Sequence, residues 1–381
     1  MTVLANLPHR TAPEVEHLRL GFVPLTDCAP LVVAEMLDLG KTHGLKIELR
    51  RQPSWAAIRD KLLSGELDAA HSLYSLAYGV QLGLGGPQTD MAILMTLNRN
   101  GQAISVSNQL AQKLQQGQSL AASFAALGHK PVFAQTFPTG THAMWLNYWL
   151  AANGIHPLHD VESVVIPPPQ MAEALAQGEL DGFCAGEPWH TVAQSMHAGR
   201  MLIPSAMVWP MHPEKALTCR REFVALYPNT ARALIRTLLD ACKWLENHEN
   251  RHAAARWLAE SQYLNLAPEL ILPSLVESGE QSVHSIASYF DEHGLNAPRP
   301  ADGLWFLSQY RRWGMLRQQV EELDWQIIVN GVSQTALYNE AAGSMGLKDG
   351  DTRYSSSRLI DQVEWNGVDA KAYADHFAIR A

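Results

Sequence analysis

The chain has 381 residues, which is enough for two lobes of ordinary domain size and too many for one compact core. Hydrophobic residues make up 47% of the chain and charged residues 18%, a balance typical of a folded globular protein and not of a disordered one. The formal net charge of −9 excludes a broadly basic surface for direct nucleic-acid binding.

The first 16 residues are predicted to form an extension ahead of the first strand. Pro8, His9, Arg10 and Glu14 interrupt any apolar run there. A secretory signal needs a basic start and an apolar stretch of roughly 7–15 residues, and a membrane helix needs roughly 20 apolar residues. Because neither pattern is seen, we expect a cytoplasmic protein without a membrane partner.

An internal repeat divides the chain into two similar halves. The sequence GELDA at 65–69 recurs as GELDG at 178–182. Each copy follows a helical pattern, is preceded by a strand-like run, and leads into small apolar residues typical of a buried strand. Further upstream, each half has a strand, a turn and a long apolar helix, predicted over 29–39 and 142–152. Each half therefore has a β–α–β–α–β pattern, which predicts parallel strands packed between helices.

The elements predicted outside the repeat indicate that the second lobe is inserted between two segments of the first. Strands are predicted over 91–97 and 104–106, a helix over 110–127, an extended stretch over 201–210, and helices over 230–247, 250–261 and 301–315. We expect an α/β protein with two lobes and a cleft between them. The first lobe would comprise 17–106 and 216–381, including a polar tail on the surface, and the second 107–215. Crossings near 106 and 215 would form the hinge.

The ends of the strands supply the candidate site. In parallel α/β lobes, ligands bind beyond the carboxyl ends of the strands and against helix N-termini. The sequence TGTH at 139–142 opens a long helix, which suits an anion, although an ordinary helix cap is favoured by the sequence alone and both can hold together. Trp55 is either a wall for a flat ligand or a core residue. Lys215 is either a charge in the cleft or a solvated lysine at a helix start.

Enzymatic and metal sites are poorly supported by the sequence. Cys184 and His142 could form a thiol–imidazole pair, but no local signature surrounds Cys184. No glycine-rich phosphate loop follows a strand. The cysteines, which we expect to be reduced, show neither CxxC nor metal-finger spacing. We therefore expect a binding protein with no catalytic residue, metal or cofactor.

Seven segments together resemble one known family. They are PLTDCAPL at 24–31, SWAA at 54–57, NGQAIS at 100–105, FPTGTH at 137–142, PPPQM at 167–171, DGFCAGEPW at 181–189 and HPEKAL at 212–217. They resemble the nitrate-binding and bicarbonate-binding proteins of ABC transporters over roughly residues 17–315. The resemblance implies a type II periplasmic-binding-protein fold with an interlobe cleft. It also implies that the anion is held by Trp55, Gln102, His142, Gly186 and Lys215, with Thr26, Asp27, Thr141, Glu187 and Pro188 around them.

The resemblance favours nitrate or nitrite as the ligand. Bicarbonate-binding relatives also use calcium and differ at some pocket positions, whereas this chain keeps both Gln102 and Lys215. The amino terminus lacks the leader and the lipid-anchor cysteine of the transporter proteins. In this respect the chain resembles the cytoplasmic nitrate/nitrite sensor of bacterial nitrate assimilation. That resemblance implies that the ligand-free chain sequesters an RNA-binding antiterminator. The alternative is the nitrate- or bicarbonate-binding component of an ABC transporter.

Overall fold

The computed structural model describes residues 12–276, 286–348 and 356–381. The strands are β1 (His17–Phe22), β2 (Lys46–Arg51), β3 (Ala69–Leu73), β4 (Met91–Arg99), β5 (Gln102–Ser107), β6 (Val132–Gln135), β7 (Glu162–Val165), β8 (Gly182–Gly186), β9 (Gly199–Pro204), β10 (Pro213–Arg220), β11 (Ser357–Arg358) and β12 (Glu364–Trp365). The first nine helices are α1 (Ala29–Met36), α2 (Leu39–Thr42), α3 (Trp55–Ser64), α4 (Tyr74–Gln81), α5 (Asn108–Gln115), α6 (Leu120–Ala125), α7 (Thr141–Ala152), α8 (Pro168–Ala176) and α9 (Trp189–Ser195). The others are α10 (Arg221–Leu226), α11 (Pro228–Glu246), α12 (His248–Leu258), α13 (Pro268–Ile271), α14 (Pro300–Arg312), α15 (Gln318–Glu321), α16 (Trp325–Val332), α17 (Thr335–Ser344) and α18 (Ala370–Asp375).

The first lobe is built on a mixed sheet with the strand order β2-β1-β3-β10-β4. Strands β1, β2 and β3 are parallel, whereas β10 runs antiparallel to β3 and β4. Strand β3 is buried along its whole length, as its small and apolar residues predict. Helices α1 and α11 pack together and contribute to the hydrophobic core beside this sheet.

The second lobe repeats this architecture, with the strand order β7-β6-β8-β5-β9. Strands β6, β7 and β8 are parallel, and β5 is antiparallel to both β8 and β9. Helix α7 is buried on almost every side. Its Trp145 packs against Trp305 of α14, with ring centroids 5.0 Å apart. The two matching sheets confirm the predicted two-lobed fold.

The boundaries between the lobes differ from the predicted ones. Strand β5 pairs with β8 and β9, so the first crossing lies at 100–101 and not near 106. Strand β10 begins at Pro213 and belongs to the first sheet, which places Lys215 in the first lobe. The carboxyl-terminal segment 356–381 also differs, because it packs against the second lobe. The Tyr148 hydroxyl of α7 lies 3.0 Å from that of Tyr373, and Ile360 N–H donates to the Val208 carbonyl.

Two predicted elements are divided or extended in the structure. The helix predicted over 110–127 is two helices, α5 and α6, separated by a turn in which Gly117 has φ +82°. The segment after 331, expected to be a polar surface tail, begins with α17, which packs on α11 and β4. Residues 1–11 of the predicted amino-terminal extension lie outside the described residues.

The lobes are closed upon each other. The Thr26 N–H donates to the Glu187 carbonyl at 2.8 Å, and the Trp189 indole N–H donates to the Pro24 carbonyl at 3.1 Å. Each of these bonds joins the first lobe to the second across the cleft. No helix within the described ranges is long and apolar enough to cross a membrane.

Candidate functional site

Lys215 lies at the centre of the closed cleft, between two carboxylates. Its Nζ is 2.7 Å from Asp27 Oδ2 and 2.9 Å from Glu214 Oε1. All three side chains are at most 3% exposed. Asp27 lies in a short turn of 3-10 helix just before α1, and the other two residues are neighbours on β10. Lys215 is therefore a buried cation in the cleft and not a solvated lysine at a helix start.

Gln102 and His142 form the side of the site that belongs to the second lobe. Gln102, the first residue of β5, donates from its amide nitrogen to Asp27 Oδ2 at 2.9 Å. His142 Nε2 lies 2.8 Å from Gln102 Oε1, and His142 Nδ1 lies 2.6 Å from Thr136 Oγ1. Both side chains are fully buried. A chain of hydrogen bonds thus runs from α7 through β5 to the first lobe.

Trp55 forms an aromatic wall on the side of the first lobe. It is the first residue of α3, which Ser54 caps through a bond from Ala57 N–H. Lys215 Nζ lies 5.6 Å from the centroid of the Trp55 ring, and the His71 ring lies 5.5 Å from it. The Trp55 indole N–H is buried and has no hydrogen-bond partner among the described residues. An unused buried donor costs free energy unless a ligand accepts from it.

The two lobes approach each other closely at Gly186, which has no side chain. A Cβ atom at this position would lie 2.7 Å from Gln102 Oε1 and 3.4 Å from Asp27 Oδ2. Any side chain here would therefore displace the amide oxygen of Gln102. The next two residues, Glu187 and Pro188, are joined by a cis peptide bond.

The start of α7 holds a carboxylate from the first lobe. Thr141 Oγ1 and the Trp145 indole N–H both donate to Glu214. The partial positive charge of a helix N-terminus stabilises such an anion. The helix start at 139–142, which was predicted to suit an anion, thus lies against the Glu214 carboxylate of the protein itself.

The three charged groups hold each other ionised. Burial opposes the ionisation of Asp27, but Lys215 and His71 outweigh it and lower the pKa of Asp27 to about 2. Burial likewise opposes the ionisation of Glu214, whose pKa is nevertheless held far below its usual range by Lys215. Burial alone would lower the pKa of Lys215, and the two carboxylates raise it instead. The site thus contains two anionic groups and one cationic group.

Sequence reasoning did not find Glu214, and it singled out His71 only as a residue at the end of a strand. Adjacent residues of a regular strand point to opposite faces of the sheet. Because Lys215 points into the site, a regular strand would point Glu214 away from it. The β10–β4 register shifts at Pro213, Lys215 and Ala216, and this irregularity lets the two neighbouring side chains touch. His71 gave no signal beyond its position in a buried strand.

Cys184 and His142 do not form a hydrogen-bonded pair in the structure. The ring nitrogens of His142 are engaged by Thr136, Gln102 and Glu214. Burial raises the pKa of the Cys184 thiol well above its usual value, so the nucleophilic thiolate is disfavoured. All four cysteines are buried and free. Within the described residues, no three acidic, histidine or cysteine side chains are grouped as a metal site.

The site lies between lobes that match a known family. Residues 11–259 match the NMT1-like family. The chain belongs to this family. It is 33% identical to the nitrate/nitrite binding protein NrtA of Nostoc sp. (strain PCC 7120), over 99% of this chain and 89% of that protein.

One solved structure and one longer relative are also similar to this chain. The crystal structure of the periplasmic nitrate-binding protein NrtA from Synechocystis PCC 6803 matches with a TM-score of 0.87 and 30% identity, covering 97% of this chain and 100% of that one. The chain is also 33% identical, over 95% of its length, to the nitrate import ATP-binding protein NrtC of Synechocystis sp. (strain PCC 6803). It spans only 55% of that longer relative. These similarities confirm a two-lobed periplasmic-binding-protein-like fold.

Proposed function

We propose that this protein binds nitrate or nitrite in the closed cleft and serves as the substrate-binding component of an ABC transporter. The similarity to nitrate-binding proteins over nearly the whole chain supports this proposal. The observation that carries it is the Trp55 indole N–H, a buried donor without a partner among the described residues, beside the buried ammonium of Lys215.

The chemistry of the site suits a small planar anion. Nitrate is flat and spreads its charge over three oxygens, so an aromatic wall and several N–H donors recognise it well. Trp55, Gln102, His142 and Lys215 offer these donors, and the absence of a side chain at Gly186 lets Gln102 and Asp27 approach each other beside them. In the structure, Lys215 and Gln102 donate to Asp27, so the anion would share these donors with that carboxylate.

The first experiment is a calorimetric titration of the anion-free protein with nitrate, nitrite and bicarbonate. We expect micromolar binding of nitrate or nitrite and no signal from bicarbonate. A bicarbonate signal that depends on calcium, together with silence from both nitrogen oxyanions, would contradict the proposed ligand.

The variant that tests the role of Trp55 is Trp55→Phe, which keeps an aromatic wall and removes the unpaired indole N–H. A hydrogen bond to a charged group contributes about 1.5–3 kcal/mol, so nitrate affinity should fall roughly tenfold or more while the fold remains stable. Trp313→Phe is the control, because Trp313 is also buried with an unpartnered N–H in the described part of the chain. Equal nitrate affinities in the two variants would remove Trp55 from the site.

A cytoplasmic sensor that sequesters an RNA-binding antiterminator is the second proposal for this family member. The two proposals differ in their partner. A sensor retains the antiterminator in a ligand-free pull-down and releases it on adding nitrate, whereas a transporter component retains the membrane subunits of the transporter.

A further inference from the structure

The closed cleft carries more negative than positive charge. Asp27 and Glu214 both contact Lys215, and these side chains are almost completely buried. Burial lowers the pKa of His71 and of His142, so both imidazoles are neutral in this state near pH 7. Around Lys215, two carboxylates and one ammonium leave one net negative charge. A monovalent anion would double that charge in a site of low dielectric, which is strongly unfavourable.

The two imidazoles differ in their capacity to accept a proton. His71 Nε2 lies 2.8 Å from Asp27 Oδ1, but His71 Nδ1 is buried without a partner in the described residues. A proton added at this Nδ1 would create an unpaired buried N–H, which is costly. His71 is therefore suited to remain neutral, donating from Nε2 to Asp27.

His142 has an acceptor for a hydrogen on either ring nitrogen. Its Nε2 lies 2.8 Å from Gln102 Oε1 and 3.3 Å from Glu214 Oε1. Its Nδ1 lies 2.6 Å from the Thr136 hydroxyl, which donates to the neutral ring and, after rotation, accepts from the protonated one. The imidazolium form of His142 would thus leave neither N–H unsatisfied.

The charged and titratable groups around His142 come from four elements. Glu214 favours its protonated form, and Lys215 opposes it. A bound anion adds a second negative charge next to the ring and shifts this balance toward protonation. The groups concerned are Glu214 and Lys215 on β10, Asp27 before α1, His71 on β3 and His190 on α9.

We infer that the site takes up its anion together with one proton, which His142 holds. The inference rests on the proposed function and concerns how the cleft accommodates a negative ligand. Because binding raises the proton affinity of His142, the anion binds more weakly as the pH rises. Between the pKa values of His142 in the free and the bound protein, the dissociation constant rises by up to about tenfold per pH unit.

Calorimetry in several buffers measures the proton directly. Nitrate is titrated at pH 7.5 into the full-length protein in PIPES, HEPES and Tris, whose ionisation enthalpies differ. The slope of the binding enthalpy against the ionisation enthalpy should correspond to nearly one proton taken up per nitrate. Nitrate binding with a zero slope and a dissociation constant independent of pH would overturn this inference and leave the proposed function intact. Absence of nitrate binding at every pH would overturn both.

A matched pair of variants tests the cause of the uptake. Glu214→Gln removes the excess negative charge, so nitrate should bind with little or no proton uptake. Glu173→Gln makes the same change at an exposed position of α8 and should keep the value of the native protein. Uptake of a full proton by Glu214→Gln would overturn the inference.

A second measurement observes the native protein, and one variant assigns its signal. In proton NMR of the native protein, nitrate should move one histidine Cε1–H resonance to the position of an imidazolium, and His142→Gln should remove that resonance. No such shift on nitrate binding would overturn the assignment of the proton to His142.

Discussion

Glu187 is a buried carboxyl group without a cation. It is 3% exposed, and within the described residues its side chain pairs with no basic group. Its Oε2 accepts from the N–H and the hydroxyl of Thr191, at 3.2 and 3.3 Å, and the backbone N–H of His190 also donates to this carboxylate. Burial raises the pKa of Glu187 to about 7, although these bonds oppose the shift. The residue therefore differs from Asp27 and Glu214, which Lys215 keeps ionised.

This difference predicts a pH-dependent gain of stability in Glu187→Gln. Because the folded-state pKa lies above the unfolded value of 4.5, ionisation of Glu187 costs stability as the pH rises from about 4.5, and the cost is complete above about 7. A shift of this size corresponds to about 3 kcal/mol. We expect urea unfolding to show equal stability of Glu187→Gln and the native protein at pH 4. At pH 8 we expect the variant to be more stable by up to that amount.

The control for this prediction is Glu179→Gln, at an exposed position in the turn before β8. It should change stability little at either pH. A Glu187→Gln variant that is less stable than the native protein at pH 8 would show that the charged carboxylate contributes to the fold.

At the scale of elements, the closeness of the two lobes depends on a glycine in α4. A Cβ atom on Gly79 would collide with the Thr139 hydroxyl and lie 2.9 Å from Thr139 Cβ. Gly79 belongs to the first lobe, and Thr139 precedes α7 of the second. Interiors are packed so densely that one added methyl group requires a shift.

We therefore predict that Gly79→Ala weakens anion binding without weakening the first lobe. Alanine favours a helix over glycine by about 1 kcal/mol, so α4 itself should not suffer. Overpacking typically costs 1–3 kcal/mol, which should lower nitrate affinity by roughly 5–150-fold in a titration. Gly343→Ala in α17 is the control, since a Cβ there meets nothing within 4 Å. Equal affinities in the two variants would contradict the role of Gly79.

The repeat made the architecture of these elements predictable. The two copies of GELD lie at equivalent turns, before β3 and before β8, so duplication predicted two similar sheets. The ends of the second lobe were less predictable, because β5 is a short strand whose sequence fits either sheet. Only its hydrogen bonds to β8 and β9 assign it to the second.

The site was predictable only in part, because one of its charged residues reaches it through irregular strand pairing. Trp55, Gln102, His142, Gly186 and Lys215 come from the motifs of the family, and the structure places them together in the cleft. Their binding of an anion remains a prediction. The competing carboxylate of Glu214 reaches the site through irregular pairing of β10 with β4, which an alternating strand pattern does not reveal.

At the scale of the whole molecule, α14 joins the two lobes outside the strand crossings. Its Phe306 packs against Tyr74 of the first lobe, with centroids 6.0 Å apart, and against Trp145 of the second, at 5.8 Å. The Tyr310 hydroxyl lies 2.7 Å from the carbonyl oxygens of both Ser75 and Thr139. One buried hydroxyl thus serves both lobes in the closed form.

The last prediction is that Tyr310→Phe shifts the ligand-free protein toward an open form. Without the hydroxyl, the buried carbonyls of Ser75 and Thr139 lose a donor at the boundary, at a cost of about 1–3 kcal/mol that opening of the cleft relieves. Small-angle scattering should show a larger radius of gyration without nitrate, and nitrate should restore the native value. Tyr373→Phe is the control, because the hydroxyl of Tyr373 contacts Tyr148 away from this boundary. The same radius in Tyr310→Phe and the native protein, with equal nitrate affinity, would show that α14 does not control the closing of the lobes.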